Sequence, residues 1–252
     1  MPTAADALAG CSPPVTKRIR QPAERRKLAE VTLCRVRTPT MWSILLVLIL
    51  ITLVSAGIRA SVDWPNVAAG IVPPDDSYDR RYALHPVLAY GHILAGVVYL
   101  VGAPFQLSRS FRERHFTVHR RMGRVLIPAG ITAGIFAIVF GTLFPFGGLL
   151  EASATVVFGI YFVTALVTAL IAIKGGDVTR HRQWMIRAFA IGLAVGTIRI
   201  WIGLFQGLGL FSLEDSFGVA FWISFVLHAL VAELYLRKRP SAHGVTELAR
   251  TA

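Results

Sequence analysis

The residues best suited to chemistry are three ionisable side chains within apolar stretches: His92, Arg199 and His228. A charged or titratable group in the hydrocarbon core costs several kcal/mol unless it pairs or faces a cavity, so each marks a candidate site. At about 1.5 Å per helical residue, their depths below the outer end agree within roughly 6 Å. We therefore expect one shared layer in the outer half of the bundle, with His85 one heptad before His92 and nearer the surface.

A second layer is expected at the inner side, where two similar segments, 119–124 and 181–187, each open a helix with a His-Arg pair. Orientation in the membrane requires arginine at an inner helix end but does not require His119 or His181. A shared anionic ligand, lipid headgroups or an ion-pair network would explain the pairs, and packing with orientation is the alternative. Arg124 and Arg187 follow one to two turns later, and Glu233 is the acid at a depth to neutralise part of this charge.

Histidines from different helices at one depth can serve as axial haem ligands, and arginines can hold haem propionates or a quinone. His92 and His228 are the candidate iron ligands, and haem b is the candidate cofactor. The two layers resemble in plan the two-haem arrangement of cytochrome b561-like bundles. This hypothesis predicts haem- or quinone-linked electron transfer. Its candidate cofactor-binding residues are His92, His119, His181, His228, Arg124, Arg187 and Arg199.

Two other functions stay open. Arg199 and the inner arginines would also suit a carrier for a small anionic solute or a lipid, with histidines relaying protons. A non-catalytic membrane subunit is the third hypothesis, since the chain has no phosphate-binding loop, H-E-x-x-H zinc motif or G-x-S-x-G nucleophile. Both cysteines, Cys11 and Cys34, lie near the N-terminus, so no disulfide framework is predicted.

The elements that must position these residues are membrane-spanning helices. Of the 252 residues, 54% are hydrophobic and 16% charged, and the mean hydropathy is +0.59. Crossing a hydrocarbon core takes roughly 20 helical residues, and runs of that length without period-two alternation indicate an all-α bundle. Six apolar stretches are long enough: 41–59, 84–107, 122–144, 151–173, 184–206 and 217–236.

The loop charges predict the orientation. Lys and Arg are abundant before the first span, in the second and fourth loops and after the sixth span, and scarce in the others. The positive-inside rule then places both termini in the cytoplasm. The excess of 26 Lys and Arg over 14 Asp and Glu is explained by orientation, so no nucleic-acid partner is expected.

These boundaries give three regions. Residues 1–40 are predicted to be a basic cytoplasmic tail, disordered or with a helix on the lipid surface; 41–236 form the transmembrane domain; 237–252 form a cytoplasmic tail. The first span is expected to be a retained signal anchor, with cleavage near Ser55 as the alternative.

Lipids are the expected surroundings. Glycines spaced four apart would let helices approach closely, within one chain, a homodimer or a partner subunit: Gly130 and Gly134, Gly192 and Gly196, Gly203 and Gly207.

Several motifs together resemble a known family. They are His92-x-x-x-Gly96, Gly102-x-Pro104-x-Gln106, His119-Arg120-x-x-Gly123-Arg124 and His181-Arg182-x-Trp184-Met185-Ile186-Arg187. Over roughly residues 85 to 205 the chain resembles the bacterial membrane proteins of domain of unknown function 2306, although the family usually has Gly and Pro adjacent before the Gln. The resemblance implies a multi-pass protein of the bacterial cytoplasmic (inner) membrane in which these histidines and arginines matter. It implies no particular activity.

Overall fold

The structure, a computed structural model, describes residues 22–75 and 77–238, with side chains from Thr40 onward. This part of the chain is all-helical and contains no strand. Its eight helices are α1 (Pro22–Ala69), α2 (Arg80–Leu84), α3 (Pro86–Leu107), α4 (Arg109–Arg114), α5 (Phe116–Leu143), α6 (Gly148–Lys174), α7 (Val178–Gly207) and α8 (Leu213–Arg237).

The prediction of six spans is confirmed. Six helices of the described part are long and apolar enough to cross a membrane: Thr40–Ala69 within α1, and α3, α5, α6, α7 and α8. α1 differs from the prediction at both ends: it begins at Pro22, within the predicted tail, and it continues ten residues beyond the predicted end at 59, where Arg59 and Asp63 pair one turn apart on the helix. The predicted tail before residue 22 lies outside the described residues, as do residues 239–252.

The bundle core forms where α3, α5, α6 and α7 meet. Tyr99, Leu126, Phe162 and Leu166 are buried there together with side chains of α7. Close approach depends on glycine, since a Cβ added at Gly130 would lie 2.7 Å from Leu166 and 2.9 Å from Tyr99. The outside of these helices is rich in exposed apolar side chains, as expected for a surface that faces lipid.

Glycine has this role at four of the six predicted positions. An added Cβ would meet neighbouring atoms within 3.4 Å at Gly130, Gly134, Gly192 and Gly196, and nothing within 4 Å at Gly203 and Gly207. At Gly196 the obstacle is the backbone oxygen of Leu48 on α1, only 2.5 Å away. The prediction of close helix contact is therefore confirmed for the first two glycine pairs, while the third pair faces open space.

The bundle has two unlike ends. We call the end formed by the connections 70–79, 144–147 and 208–212 the acidic end, and the end formed by 108–115 and 175–177 the basic end. Each of the six spans runs from one end to the other. The basic end is the one predicted to face the cytoplasm.

Candidate functional site: a cavity lined by three arginines

A cavity of about 230 Å³ lies inside the bundle, in the half next to the acidic end. Three cations, Arg59, Arg81 and Arg199, line it together with Glu151 and His92, and we call it the arginine cavity. Most of the remaining wall is aromatic or aliphatic. The phenylalanines that contribute are Phe140, Phe158, Phe162, Phe217, Phe221 and Phe225.

Two carboxylates neutralise Arg59. Its Nε donates to Oδ2 of Asp63 at 2.7 Å, and its Nη2 donates to Oδ1 of Asp79 at 2.6 Å. Asp63 is 1% exposed and also accepts a hydrogen bond of 3.3 Å from the Tyr90 hydroxyl. The bond between Arg59 and Asp79 joins α1 to the connection before α2. Arg59 therefore has two acid partners within the protein.

A single buried acid neutralises Arg81. The Nη1 of Arg81 donates to Oε1 of Glu151 at 3.3 Å and to the Phe144 carbonyl at 3.1 Å, and the two charged side chains are 11% and 4% exposed. The other Glu151 oxygen, Oε2, accepts the Phe146 N–H at 3.0 Å and the Gly147 N–H, at the start of α6. Five aromatic rings lie within 6 Å of the guanidinium carbon: Tyr78, Tyr82, Phe140, Phe146 and Phe217.

We call this assembly of Arg81, Glu151 and the five rings the Arg81 clasp. Burial raises the pKa of the Tyr82 phenol, so the ring stays neutral and shares a hydrogen bond of 2.9 Å with the Tyr78 hydroxyl. The faces of neutral aromatic rings attract a guanidinium. The clasp thus fixes α2 over the arginine cavity with contacts to α5, α6 and α8.

Arg199 is different from the other two. Within residues 40–75 and 77–238 its guanidinium has no hydrogen bond and no ion pair, and its Nε is buried. Three further polar atoms on the cavity lining are buried without a hydrogen bond: the Nε of Arg81 and the hydroxyls of Tyr99 and Thr155. Unpaired polar groups of this kind are costly inside a protein, and a bound ligand is one common explanation.

The structure places His92 beside Arg199 on the cavity lining, close enough for the two charges to interact. The Nδ1 of His92 lies 2.9 Å from the Ala133 carbonyl oxygen, which can only accept, so Nδ1 carries the proton and donates. In the neutral ring Nε2 is then an acceptor. His92 can therefore accept a hydrogen bond from a ligand in the cavity.

His228 is not part of this lining. Its Nε2 lies 2.8 Å from the Thr197 hydroxyl, which ties α8 to α7. His85 stacks on Phe144 with ring centroids 3.6 Å apart, near the acidic end. Of the three histidines predicted for the outer layer, the cavity brings only His92 together with Arg199.

The basic end holds the remaining predicted residues. The prediction that Glu233 neutralises arginine charge is confirmed, since its carboxylate accepts from Arg187 at 2.6 and 3.1 Å. Arg187 also lies 4.7 Å from the Trp184 ring. Arg124 is exposed. His181 is near enough to His119 for their charges to interact, and the described part of the chain contains no cluster of three or more His, Cys, Asp or Glu side chains fit to hold a metal ion.

Of the five ionisable residues named on the lining, the sequence predicted His92 and Arg199 as site residues and did not predict the other three, which are Arg59, Arg81 and Glu151. Arg81 lies in the loop between the first two predicted spans, and Arg59 is the last residue of the first. The sequence does contain a signal for Arg59 and one for Glu151. Arg59 and Asp63 have the i, i+4 spacing of a helical ion pair, and Glu151 is an acid in the first turn of an apolar helix. Nothing in the local sequence indicates that α2 carries Arg81 to Glu151.

A bundle of six membrane-spanning helices around a charged cavity defines a multi-pass membrane protein. The model of the family described as Predicted membrane protein (DUF2306) matches residues 89–236. This is more than half of the chain, so the protein belongs to this family, and the resemblance noted from its motifs is confirmed. No curated protein and no solved structure matches the chain.

Proposed function

We propose that this protein binds a small ligand with one negative charge and an apolar body in the arginine cavity. Arg199 carries the proposal: it lines the cavity, and among the described residues it has no acid partner. An unpaired guanidinium within a membrane bundle is stabilised by an opposite charge, and a bound anion would supply it. Arg59 and Arg81 already pair with carboxylates of the protein, so the anion would pair with Arg199.

The size and walls of the cavity favour a ligand about as large as one ring. A cavity of about 150 Å³ is known to accept benzene, and sites for drug-sized ligands exceed roughly 300 Å³. At about 230 Å³, with phenylalanines around it, the arginine cavity suits a single-ring or short branched carboxylate. His92 would accept a hydrogen bond from a hydroxyl of the ligand, or take its proton.

Binding of a ligand in a cavity is the first step of transport by a carrier, and we propose that the protein is such a carrier. A carrier takes up its ligand from one side of the membrane, and the arginine cavity lies near one end of the bundle behind the Arg81 clasp. Six spans are few for a complete carrier, so we expect a dimer. The mass of the protein in nanodiscs tests this expectation, and a strictly monomeric particle would count against it.

The direct test compares para-fluorobenzoate with para-fluorobenzamide, its neutral counterpart, by fluorine NMR on the purified protein in nanodiscs. We expect the acid to bind at least about tenfold more tightly, since hydrogen bonds to charged groups contribute about 1.5–3 kcal/mol. Arg199→Gln should remove that preference. Arg124→Gln is the matched control, because Arg124 is an exposed arginine at the other end.

Equal binding of the acid and the amide would contradict the proposal, as would an acid preference that survives Arg199→Gln. Binding of neither compound would exclude ring-sized monoanions. Uptake of the acid into vesicles containing the protein, compared between native protein and Arg199→Gln, then tests transport separately from binding.

A b-type haem with electron transfer is the second candidate, and one observation favours it. In a metal-ligating histidine, one ring nitrogen usually bonds a carbonyl and the other nitrogen is left to bind the metal. His92 has this arrangement, since its Nδ1 bonds a carbonyl oxygen. The other candidate ligand, His228, bonds Thr197 instead and lies off the cavity lining. An absorbance spectrum of protein from haem-supplied cells tests this function: a Soret band lost in His92→Ala would support it, and no band would remove it.

The direction of the bundle in the bacterial inner membrane is also a proposal. The basic end is placed in the cytoplasm because the connection 108–115 and the starts of α5 and α7 beside it carry many arginines, whereas the connections of the acidic end carry none. Reporter fusions after Gly147 and after Gly175 test this placement, since the two sites lie at opposite ends of α6. A reporter that is active only in the cytoplasm should work after Gly175 and fail after Gly147.

A further inference from the structure

Two buried polar atoms at the basic end have no hydrogen-bond partner: Nε2 of Gln106 and Nδ1 of His119. Gln106 is 9% exposed and lies near the end of α3. Its Oε1 would be 3.8 Å from a Cβ added at Gly123, so the amide lies against α5. His119 is on the same face of α5, one turn before Gly123. The two unpaired groups therefore lie along one contact between α3 and α5.

A third helix contributes His181. This residue is close enough to His119 for their charges to interact. Its Nδ1 lies 2.9 Å from the Ala169 carbonyl oxygen on α6, so Nδ1 donates and Nε2 is left without a hydrogen bond in the described part of the chain. Gln106 and His119 lie along the contact of α3 with α5, and His181 on α7 is near enough for its charge to act on His119.

The electrostatic surroundings of this cluster are positive. His119 and His181 each stand at the fourth position of a long helix, where the helix dipole favours negative charge. The start of α5 has no side-chain cap, and the charge of Arg112 acts on His119.

The acids at this end are engaged elsewhere. Glu113 pairs with Arg109 at 2.6 Å, and the Asp177 side chain accepts the Arg180 N–H at 2.8 Å at the start of α7. Glu113 is thus neutralised and Asp177 is held at the exposed cap of α7, while Gln106, His119 and His181 themselves offer hydrogen-bond donors and no negative charge.

We infer that Gln106, His119 and His181 form a second site, which binds a phosphate group at the basic end. Several donors converging from different helices match the tetrahedral oxygens of phosphate, and helix N-termini are a common place to bind it. The phosphate can come from a phospholipid headgroup, which lies at this depth in a bilayer, or from inorganic phosphate. This inference is independent of the arginine cavity.

The test uses the delipidated full chain in detergent and two probes. One is dioleoylphosphatidylglycerol, with dioleoylglycerol as the lipid that lacks phosphate, followed by native mass spectrometry. The other is inorganic phosphate, followed by phosphorus NMR. We expect one bound phosphate group, and at least about tenfold weaker binding in Gln106→Leu and in His119→Phe, as loss of hydrogen bonds to a charged group predicts.

The matched control is Arg121→Gln, which removes an exposed positive charge from α5 at the same end. Binding of para-fluorobenzoate should be unchanged in all three variants, which shows that each variant is folded and separates this site from the arginine cavity. If that compound does not bind the native protein, the melting temperature serves as the folding check.

Binding of the phospholipid alone would identify a lipid site, and binding of inorganic phosphate would identify an ion site. The inference is overturned if neither probe binds better than dioleoylglycerol, or if Gln106→Leu and His119→Phe bind as the native chain does. It is also overturned if Arg121→Gln weakens binding as much as they do, since the attraction would then be a general effect of charge.

Discussion

The two ends of the bundle use arginine in opposite ways. At the acidic end Arg59 and Arg81 are largely buried, and each pairs with at least one carboxylate. At the basic end most arginines are exposed, as Arg120, Arg121 and Arg124 are. Buried pairs fix geometry because neither charge can be left alone, whereas exposed charges mainly orient the chain and attract anions. Whether an arginine is buried or exposed therefore decides whether it fixes the fold or orients the chain.

The largest effect should come from the Arg81 clasp. Arg81→Met leaves the Glu151 carboxylate buried without its partner, so we expect a loss of about 3–5 kcal/mol in the free energy of unfolding. Arg80→Met is the neighbouring control, because Arg80 pairs with Asp75, whose side chain is 93% exposed, and should lose less than about 1 kcal/mol. Denaturant unfolding in mixed micelles measures both. Equal losses would show that burial of the pair is not what matters.

Arg199 should respond with the opposite sign. Arg199→Met removes a guanidinium that has no acid partner among the described residues, and we expect a gain of about 1–3 kcal/mol in the same measurement without ligand. Saturating para-fluorobenzoate should stabilise the native protein and leave Arg199→Met unchanged. A loss of stability in Arg199→Met would instead indicate that Arg199 has a structural partner.

Glycines at the two ends of α6 test how tightly each end is packed. A Cβ at Gly147 would lie 2.8 Å from the Phe217 Cβ and 2.9 Å from the Glu214 backbone oxygen, so Gly147→Ala should lose about 1–3 kcal/mol. The nearest atoms to a Cβ at Gly175 are 3.6 Å away, and both glycines have negative φ. Gly175→Ala should therefore be neutral or slightly stabilising. Melting temperatures of the two variants compare the ends directly, and similar shifts would contradict the difference in packing.

The smallest effect concerns the ion pair at the basic end. Arg187 and Glu233 have side chains 18% and 38% exposed, so Arg187→Gln should lose no more than about 1 kcal/mol, and less at high salt. Arg124→Gln should have no measurable effect. Unfolding at low and high ionic strength checks both variants. A loss near that of Arg81→Met would mean that the two ends are held in the same way.

Much of the fold was predictable because membrane insertion depends on local properties. Length and hydropathy located all six spans, and α3 begins at Pro86, a position where a helix needs no N–H donor. The extension of α1 was missed because Arg59 and Asp63 read as the end of an apolar run. Their mutual neutralisation is what lets the helix continue.

The candidate site was predictable only in part. His92 and Arg199 were selected because ionisable residues are rare in apolar helices, and both line the cavity. Their depth also selected His228, which bonds Thr197 instead. Depth along a helix can be counted from the sequence, but rotation about the helix axis depends on which neighbour each face packs against.

The sequence by itself determined the class of protein, the number of spans and the unequal charge of the two ends, because these follow from sums over neighbouring residues. Only the tertiary structure decided which charges meet. Arg81 and Glu151 are 70 residues apart, and their pairing depends on α2 folding over the bundle. Arg199 differs from the other two cavity arginines for the same reason: no carboxylate of the described chain is brought to it.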